Sequence, residues 1–151
     1  MSVFTWPARV YWEDTDGGGV VYYANYLKYL ERARTEWLRA HGFSQQELAR
    51  DFGILFTVVS LGLEYKRAAR LDDELIVTCE PRSERAASLT FGQRILRGPI
   101  AAAADRNIAG LEAASLIVSA EVRIACVDAR SFRPQRLPDV LVNALSAQES
   151  A

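Results

Sequence analysis

Hydrophobic and polar residues alternate with period two in four stretches of the chain. Val59, Leu61, Leu63 and Tyr65 interleave with Ser60, Gly62, Glu64 and Lys66, the pattern of a half-buried strand. Leu75, Val77 and Cys79 interleave with Ile76, Thr78 and Glu80, after a polar turn at Leu71-Asp72-Asp73-Glu74. Leu89, Phe91 and Ile95 stand against Ser88, Thr90 and Arg94. The longest run sets Leu116, Val118, Ala120, Val122, Ile124 and Cys126 against Ile117, Ser119, Glu121, Arg123, Ala125 and Val127. The short connections between the strands predict antiparallel pairing, because parallel neighbours need long crossovers. An earlier strand is predicted over residues 4–12.

Between that first strand and the others the period changes to that of a helix, predicted over residues 23–40. At 100° per residue Tyr26, Tyr29, Leu30, Ala33, Trp37 and Ala40 share one face. Lys28, Glu31, Arg32, Thr35 and Arg39 lie opposite. His41-Gly42 closes the helix, with Gly42 suited to a left-handed cap and His41 at the negative end of the dipole. Ser44 and Glu47 form a capping-box pattern that opens a second, short helix.

One amphipathic helix laid on one sheet buries both apolar faces, so the predicted class is α+β. The expected domain is residues 1–138, with residues 139–151 a tail that forms a short helix or frays. Residues 98–114 are Ala-rich, break the alternation and read as a long loop or hairpin tip. A single sheet leaves edges and an uncovered face, so a dimer that extends or stacks it is expected.

The 151 residues carry 18 Lys+Arg against 19 Asp+Glu, one His and two Cys. The near-zero net charge argues against general binding to nucleic acid or to anionic membranes. No apolar run approaches the roughly 18 residues of a membrane span. The opening Met1-Ser2-Val3-Phe4-Thr5-Trp6-Pro7 lacks the basic start and apolar stretch of a secretory signal, so the expected setting is the cytoplasm. Two isolated cysteines build neither a disulfide framework nor a zinc site, and read as small core residues. With one His, at position 41, carboxylates and backbone dipoles are the expected chemical agents.

The chemistry concentrates in residues 13–26, Glu-Asp-Thr-Asp-Gly-Gly-Gly-Val-Val-Tyr-Tyr-Ala-Asn-Tyr. A phosphate loop needs Gly-Lys-Ser/Thr, and Val20 follows the glycines instead. A dinucleotide fingerprint needs a parallel strand-helix-strand unit, which the later strands do not provide. A calcium loop from Asp14 meets Gly18 and Asn25 at its fifth and twelfth positions. A divalent metal on Glu13, Asp14 and Asp16 has no His or distant ligand in support. Besides that metal reading, two others remain open on the residues alone. The segment is a plain turn, with Asp16 set near the positive end of the helix. Alternatively, the free N–H groups of a helix start stand beside a carboxylate, a pair able to polarise a carbonyl and attack it.

Trp6-Pro7, Arg9-Val10-Tyr11, Glu13-Asp14-Thr15-Asp16, Gly18-Gly19-Val20-Val21-Tyr22, Asn25-Tyr26 and Glu31-Arg32-Ala33-Arg34-Thr35-Glu36 resemble the Tol–Pal-associated acyl-CoA thioesterases. These belong to the 4-hydroxybenzoyl-CoA thioesterase branch of the hot-dog fold. The resemblance continues through Glu64-Tyr65, Ala69-Arg70-Leu71-Asp72-Asp73, Gln93-Arg94-Ile95, Cys126-Val127-Asp128 and Arg133-Pro134. It implies a curved antiparallel sheet of about five strands wrapped around one long helix. It also implies homodimers, often paired into homotetramers, with active sites at the dimer interface.

By the same resemblance the catalytic carboxylate falls on Asp16, and the N–H that polarises the thioester carbonyl falls on Tyr23. Gly19, Val20, Tyr22 and Asn25 are expected to shape the substrate site or hold its turn. No metal or other cofactor is expected. The expected substrate is an acyl thioester of CoA, with acyl carrier protein as a second candidate carrier. The chain departs from the pattern at Tyr23, where many Tol–Pal-associated members carry His, and in the length of residues 98–114. A non-hydrolytic acyl-thioester binding or scaffold protein of envelope or phospholipid metabolism is the alternative, and the intact Asp16 and glycine turn speak against it. Glu31, on the polar helix face, is read as structural. Lys66, Arg67, Arg82 and Arg85 are candidates for the phosphates of CoA, with solvation as the plainer reading.

Overall fold

The computed structural model describes residues 3–106, 108, 110 and 115–150. Its elements are β1 (Phe4–Arg9), α1 (Tyr26–Ala40), α2 (Gln45–Phe52), β2 (Ile54–Tyr65), β3 (Glu74–Arg85), β4 (Ser88–Arg97), α3 (Ile100–Asp105), β5 (Leu116–Asp128) and α4 (Asp139–Ser150). The strands form one antiparallel sheet in the order β1-β3-β4-β5-β2, so β1 and β2 are its edges. This is the hot-dog arrangement, a five-stranded antiparallel sheet carrying one long helix.

The main core joins one face of the sheet to α1. Leu75, Val77 and Cys79 of β3, Leu89, Phe91 and Ile95 of β4, and Val118, Val122 and Cys126 of β5 pack with Tyr26, Tyr29, Leu30, Ala33 and Trp37 of the helix. Both cysteines are buried, as their apolar neighbours suggest. Beneath the helix lies a buried polar residue, Gln93. Its Nε2 donates to the carbonyls of Leu30 and Thr78, and its Oε1 accepts from Arg34. Those bonds satisfy an amide that would otherwise be costly to bury.

Several sequence expectations need correction. β1 stops at Arg9, and Trp12–Asp14 is a 3-10 turn. Ala40 is exposed and Leu38 is buried in its place. The chain turns back over the Leu38 flank, where the Phe43 N–H bonds the Leu38 carbonyl at 3.2 Å.

The segment read as a loop or hairpin tip contains α3, an Ala run entered through Pro99; residues 107, 109 and 111–114 of it lie outside those described. α3 packs on the second face of the sheet, where Ala103 and Ile108 meet Ile76 and Leu96 in a smaller cluster. Both faces of β3 are therefore buried from Leu75 to Cys79, although the alternation suggested only one. α4 returns Leu141 and Leu145 to the main core.

β2 departs most from its pattern. Leu63 is half-buried, but Val59, Leu61 and Tyr65 remain 48%, 42% and 50% exposed. A register shift between Val58 and Ser60 interrupts the pairing with β5. As an edge strand, β2 has a neighbour on one side only.

Candidate active site

After the 3-10 turn the chain doubles back on itself as a tight hairpin of residues 14–22. Thr15 pairs with Val21, Asp16 N–H donates to the Val20 carbonyl at 2.8 Å, and Tyr22 N–H donates to the Asp14 carbonyl at 3.0 Å. The returning arm is held from its other side by residues 69–71. Val20 bridges to Arg70, Val21 N–H donates to Ala69, and the Gly19 carbonyl accepts from Leu71 N–H. Of the three glycines only Gly19 is left-handed, at φ +82°, a conformation that a side chain strains.

The two aspartates of the hairpin have opposite surroundings. Asp14 is 6% exposed, and its Oδ2 accepts from the Tyr29 hydroxyl and the Tyr11 N–H, both at 2.9 Å. Burial, with the Asp14 carboxylate next to it, holds the Tyr29 hydroxyl well above its ordinary pKa. Asp16 is exposed, and its Oδ1 accepts from Gly18 N–H at 2.7 Å. One carboxylate is tied into the core, and the other faces outward from the tip.

The helical run begins a few residues later. Tyr23–Asn25 form a 3-10 turn that leads directly into α1. Tyr23 is the first residue of that run, so its N–H has no acceptor within the turn. Tyr22 O accepts from Asn25 N–H at 2.8 Å, and the Asn25 side chain donates to the Asp14 carbonyl at 2.9 Å. Asn25 thus fastens the helix start to the hairpin. The exposed rings of Tyr22 and Tyr23 lie 4.8 Å apart.

All six residues singled out in the sequence, Asp16, Gly19, Val20, Tyr22, Tyr23 and Asn25, therefore sit on one hairpin and the helix start that follows it. They line neither of two cavities elsewhere in the chain. One, of about 130 Å³, lies beside Arg34 and Trp37, and the other, of about 600 Å³, lies by Ala40, His41 and Arg82 at the far end of α1. Within one chain the hairpin tip is an open surface.

A model of the thioesterase superfamily matches residues 18–104, more than half of the chain. The chain belongs to the thioesterase superfamily. It is 44% identical over 141 residues to the acyl-CoA thioester hydrolase YbgC of Escherichia coli O6:H1, covering 93% of this chain and 94% of that protein. A solved probable thioesterase from Bartonella henselae is 32% identical with a TM-score of 0.76, covering 91% of this chain and all of that one (100%). Slr0204 from Synechocystis, a 1,4-dihydroxy-2-naphthoyl-CoA thioesterase, shares the fold at a TM-score of 0.80 and 22% identity, over 97% of this chain and 98% of that one.

Sequence reading singled out Asp16 through the family resemblance but gave Asp14 no structural part. The available signal was Tyr29, whose hydroxyl on the buried helix face needs a partner. It also passed over Tyr65, which donates to the Tyr23 carbonyl. Among the candidates for CoA phosphate, Lys66 pairs with Glu64, Arg67 donates to the Leu116 carbonyl, and Arg82 pairs with Glu80. Among the described residues no three His, Cys, Asp or Glu side chains form a set that could hold a metal ion, and no helix is long and apolar enough to cross a membrane.

Proposed function

We propose that this thioesterase hydrolyses acyl-CoA to a free acid and CoA, using the Asp16 carboxylate and the Tyr23 N–H. The thioester carbonyl oxygen points at the start of the helical run, where that N–H and the helix dipole stabilise the developing oxyanion. Asp16 attacks the carbonyl carbon, the C–S bond breaks and CoA leaves as the thiolate. Water then cleaves the resulting mixed anhydride, returning the carboxylate and releasing the acid. The variant route has Asp16 draw a proton from the attacking water. A carboxylate is a poor base but a competent nucleophile, which favours direct attack.

The reading is carried by the contrast within the hairpin. Asp14 is committed to the fold through Tyr29 and Tyr11, whereas Asp16 is exposed on the hairpin that leads into the helix start. The relatives' acyl-CoA chemistry supports the same substrate class.

The finer assignment is to the 4-hydroxybenzoyl-CoA branch and its Tol–Pal-associated group, acting in the cytoplasm. It rests on the motifs around Asp16 and on residues 31–36. The same reading has the protein working as a homodimer or a pair of dimers, with acyl carrier protein as a second donor. The open hairpin tip and the exposed Val59 and Leu61 of edge strand β2 support a partner subunit closing the site. A CoA-release screen over aromatic, short-chain and long-chain acyl-CoAs tests the activity. Release with at least one class is the expected result, and binding without release across the whole series would overturn it.

A further inference from the structure

The Tyr23 amide lies between two peptide carbonyls, and each has its own hydrogen-bond donor. The peptide that carries the Tyr23 N–H has Tyr22 O as its carbonyl, which accepts from Asn25 N–H at 2.8 Å. The next carbonyl, Tyr23 O, accepts from the Tyr65 hydroxyl at 2.9 Å. The first bond belongs to the 3-10 turn itself. The second comes from 42 residues away, at the end of edge strand β2.

Tyr65 is itself held in place. Its backbone pairs with Val118 on β5, and its ring packs on Tyr26 with centroids 5.6 Å apart. Tyr26 is buried, and its hydroxyl accepts from Ala69 N–H at 3.0 Å. Residue 69 belongs to the segment that also grips the hairpin, through Val21 N–H on the Ala69 carbonyl. One connected set of contacts therefore runs from the sheet edge to both the hairpin arm and the helix start. A hydroxyl fixed at the end of a strand sets the direction of the carbonyl it binds, and with it the geometry of the residue carrying that carbonyl.

We infer that Tyr65 is a positioning residue for thioester hydrolysis, its hydroxyl clamping the Tyr23 carbonyl so that the Tyr23 N–H is aimed at the substrate carbonyl. This rests on the proposed role of Tyr23. The hydroxyl touches neither substrate nor reacting atoms; it limits the freedom of the donor that does. Small misplacements of such a donor are expensive in rate, because the bond must be good in the transition state. Ground-state binding is less sensitive, so the clamp acts on kcat and leaves KM nearly unchanged.

The test compares Tyr65→Phe, which keeps the ring on Tyr26 and removes the hydroxyl, with Tyr65→Leu, which removes both. Steady-state CoA release is measured with the best acyl-CoA found in the screen. Tyr65→Phe is expected to lose about tenfold or more in kcat, with KM and melting temperature close to wild type. A Phe variant with wild-type kcat overturns the inference, whether or not Leu is impaired, since ring packing alone would then suffice.

A second readout follows the substrate carbonyl by infrared difference spectroscopy, with the acyl-CoA bound to Asp16→Asn so that it persists. A carbonyl stretch lowered on binding, and shifted back when Tyr65→Phe is added, supports the clamp; an identical stretch in both backgrounds overturns it. Asp16→Asn also separates the two levels. Undiminished turnover there removes the proposed mechanism and this inference together, while abolished turnover with a fully active Tyr65→Phe removes the clamp alone.

Discussion

The base and the tip of the hairpin at residues 14–22 carry the same side chain in opposite states. At the base, Asp14 is buried and receives two hydrogen bonds, one from a helix tyrosine and one from the backbone. At the tip, Asp16 is exposed with Gly18 N–H on one oxygen. A buried carboxylate whose Oδ2 already accepts two hydrogen bonds is taken up by the fold; an exposed one on the hairpin leading into the helix start is open to a substrate. The two carboxylates, two residues apart in the chain, differ in what each is already bonded to, and the proposed function rests on that difference.

The largest expected effect comes from Asp16→Asn. Removing a carboxylate that attacks or takes a proton should lower CoA release by about 10²–10⁴-fold. Thermal melting should not move, because nothing in the core depends on that side chain. Asp14→Ala should invert the pattern. It leaves the Tyr29 hydroxyl and the Tyr11 N–H without their acceptor, lowering stability by about 2–4 kcal/mol in urea unfolding. Equal damage to stability from the two substitutions would erase the contrast.

Two glycines sharpen it further. Gly19→Ala puts a side chain at φ +82°, and should cost about 1–2 kcal/mol of stability. At Gly18, where φ needs no glycine, an added Cβ would stand 3.3 Å from Asp16 Oδ1. Gly18→Ala should therefore lower turnover, by up to about tenfold, with stability nearly intact. Circular-dichroism melts and CoA-release rates on the same preparations distinguish the two.

The smallest effect is on pH dependence, and it belongs to the base. Tyr29 loses its proton well above the usual tyrosine range when folded and near 10.0 when unfolded. Its contribution to stability is thus complete below pH 10 and is lost as pH rises further. Cys126, whose thiol burial pushes up to about 11 from 9.0, adds a loss between those two values in the same direction. The alkaline decline of urea-unfolding stability should be shallower in Tyr29→Phe than in wild type, and an identical slope would remove Tyr29 from the base.

Much of the fold was legible because periodicity reports burial directly. The α1 stripe from Tyr26 to Trp37 and the strands β3, β4 and β5 follow from it. The pattern misled where burial depends on a partner element that the local sequence does not announce. The alternation of β2 suggested a buried face, yet an edge strand has a neighbour on one side only. The α3 segment read as loop because its Ala run has no amphipathic period, although Pro99 before a run of strong helix formers was a usable start signal.

The candidate site was legible to the level of a segment. Its geometry arises from residues far along the chain: Tyr29 sorts Asp14 from Asp16, residues 69–71 grip the returning arm, and Tyr65 reaches Tyr23 from β2. No spacing within residues 13–26 encodes those contacts.

The most direct measurement is a single turnover, with Asp16→Asn in molar excess over an acyl-CoA that wild type hydrolyses. Rapid quenching then follows the appearance of free CoA. If the exposed carboxylate performs the chemistry, the folded variant should bind the thioester and leave it intact on the wild-type time scale. One equivalent of CoA released at the wild-type rate would contradict it, and the reacting group would have to be sought elsewhere on the molecule.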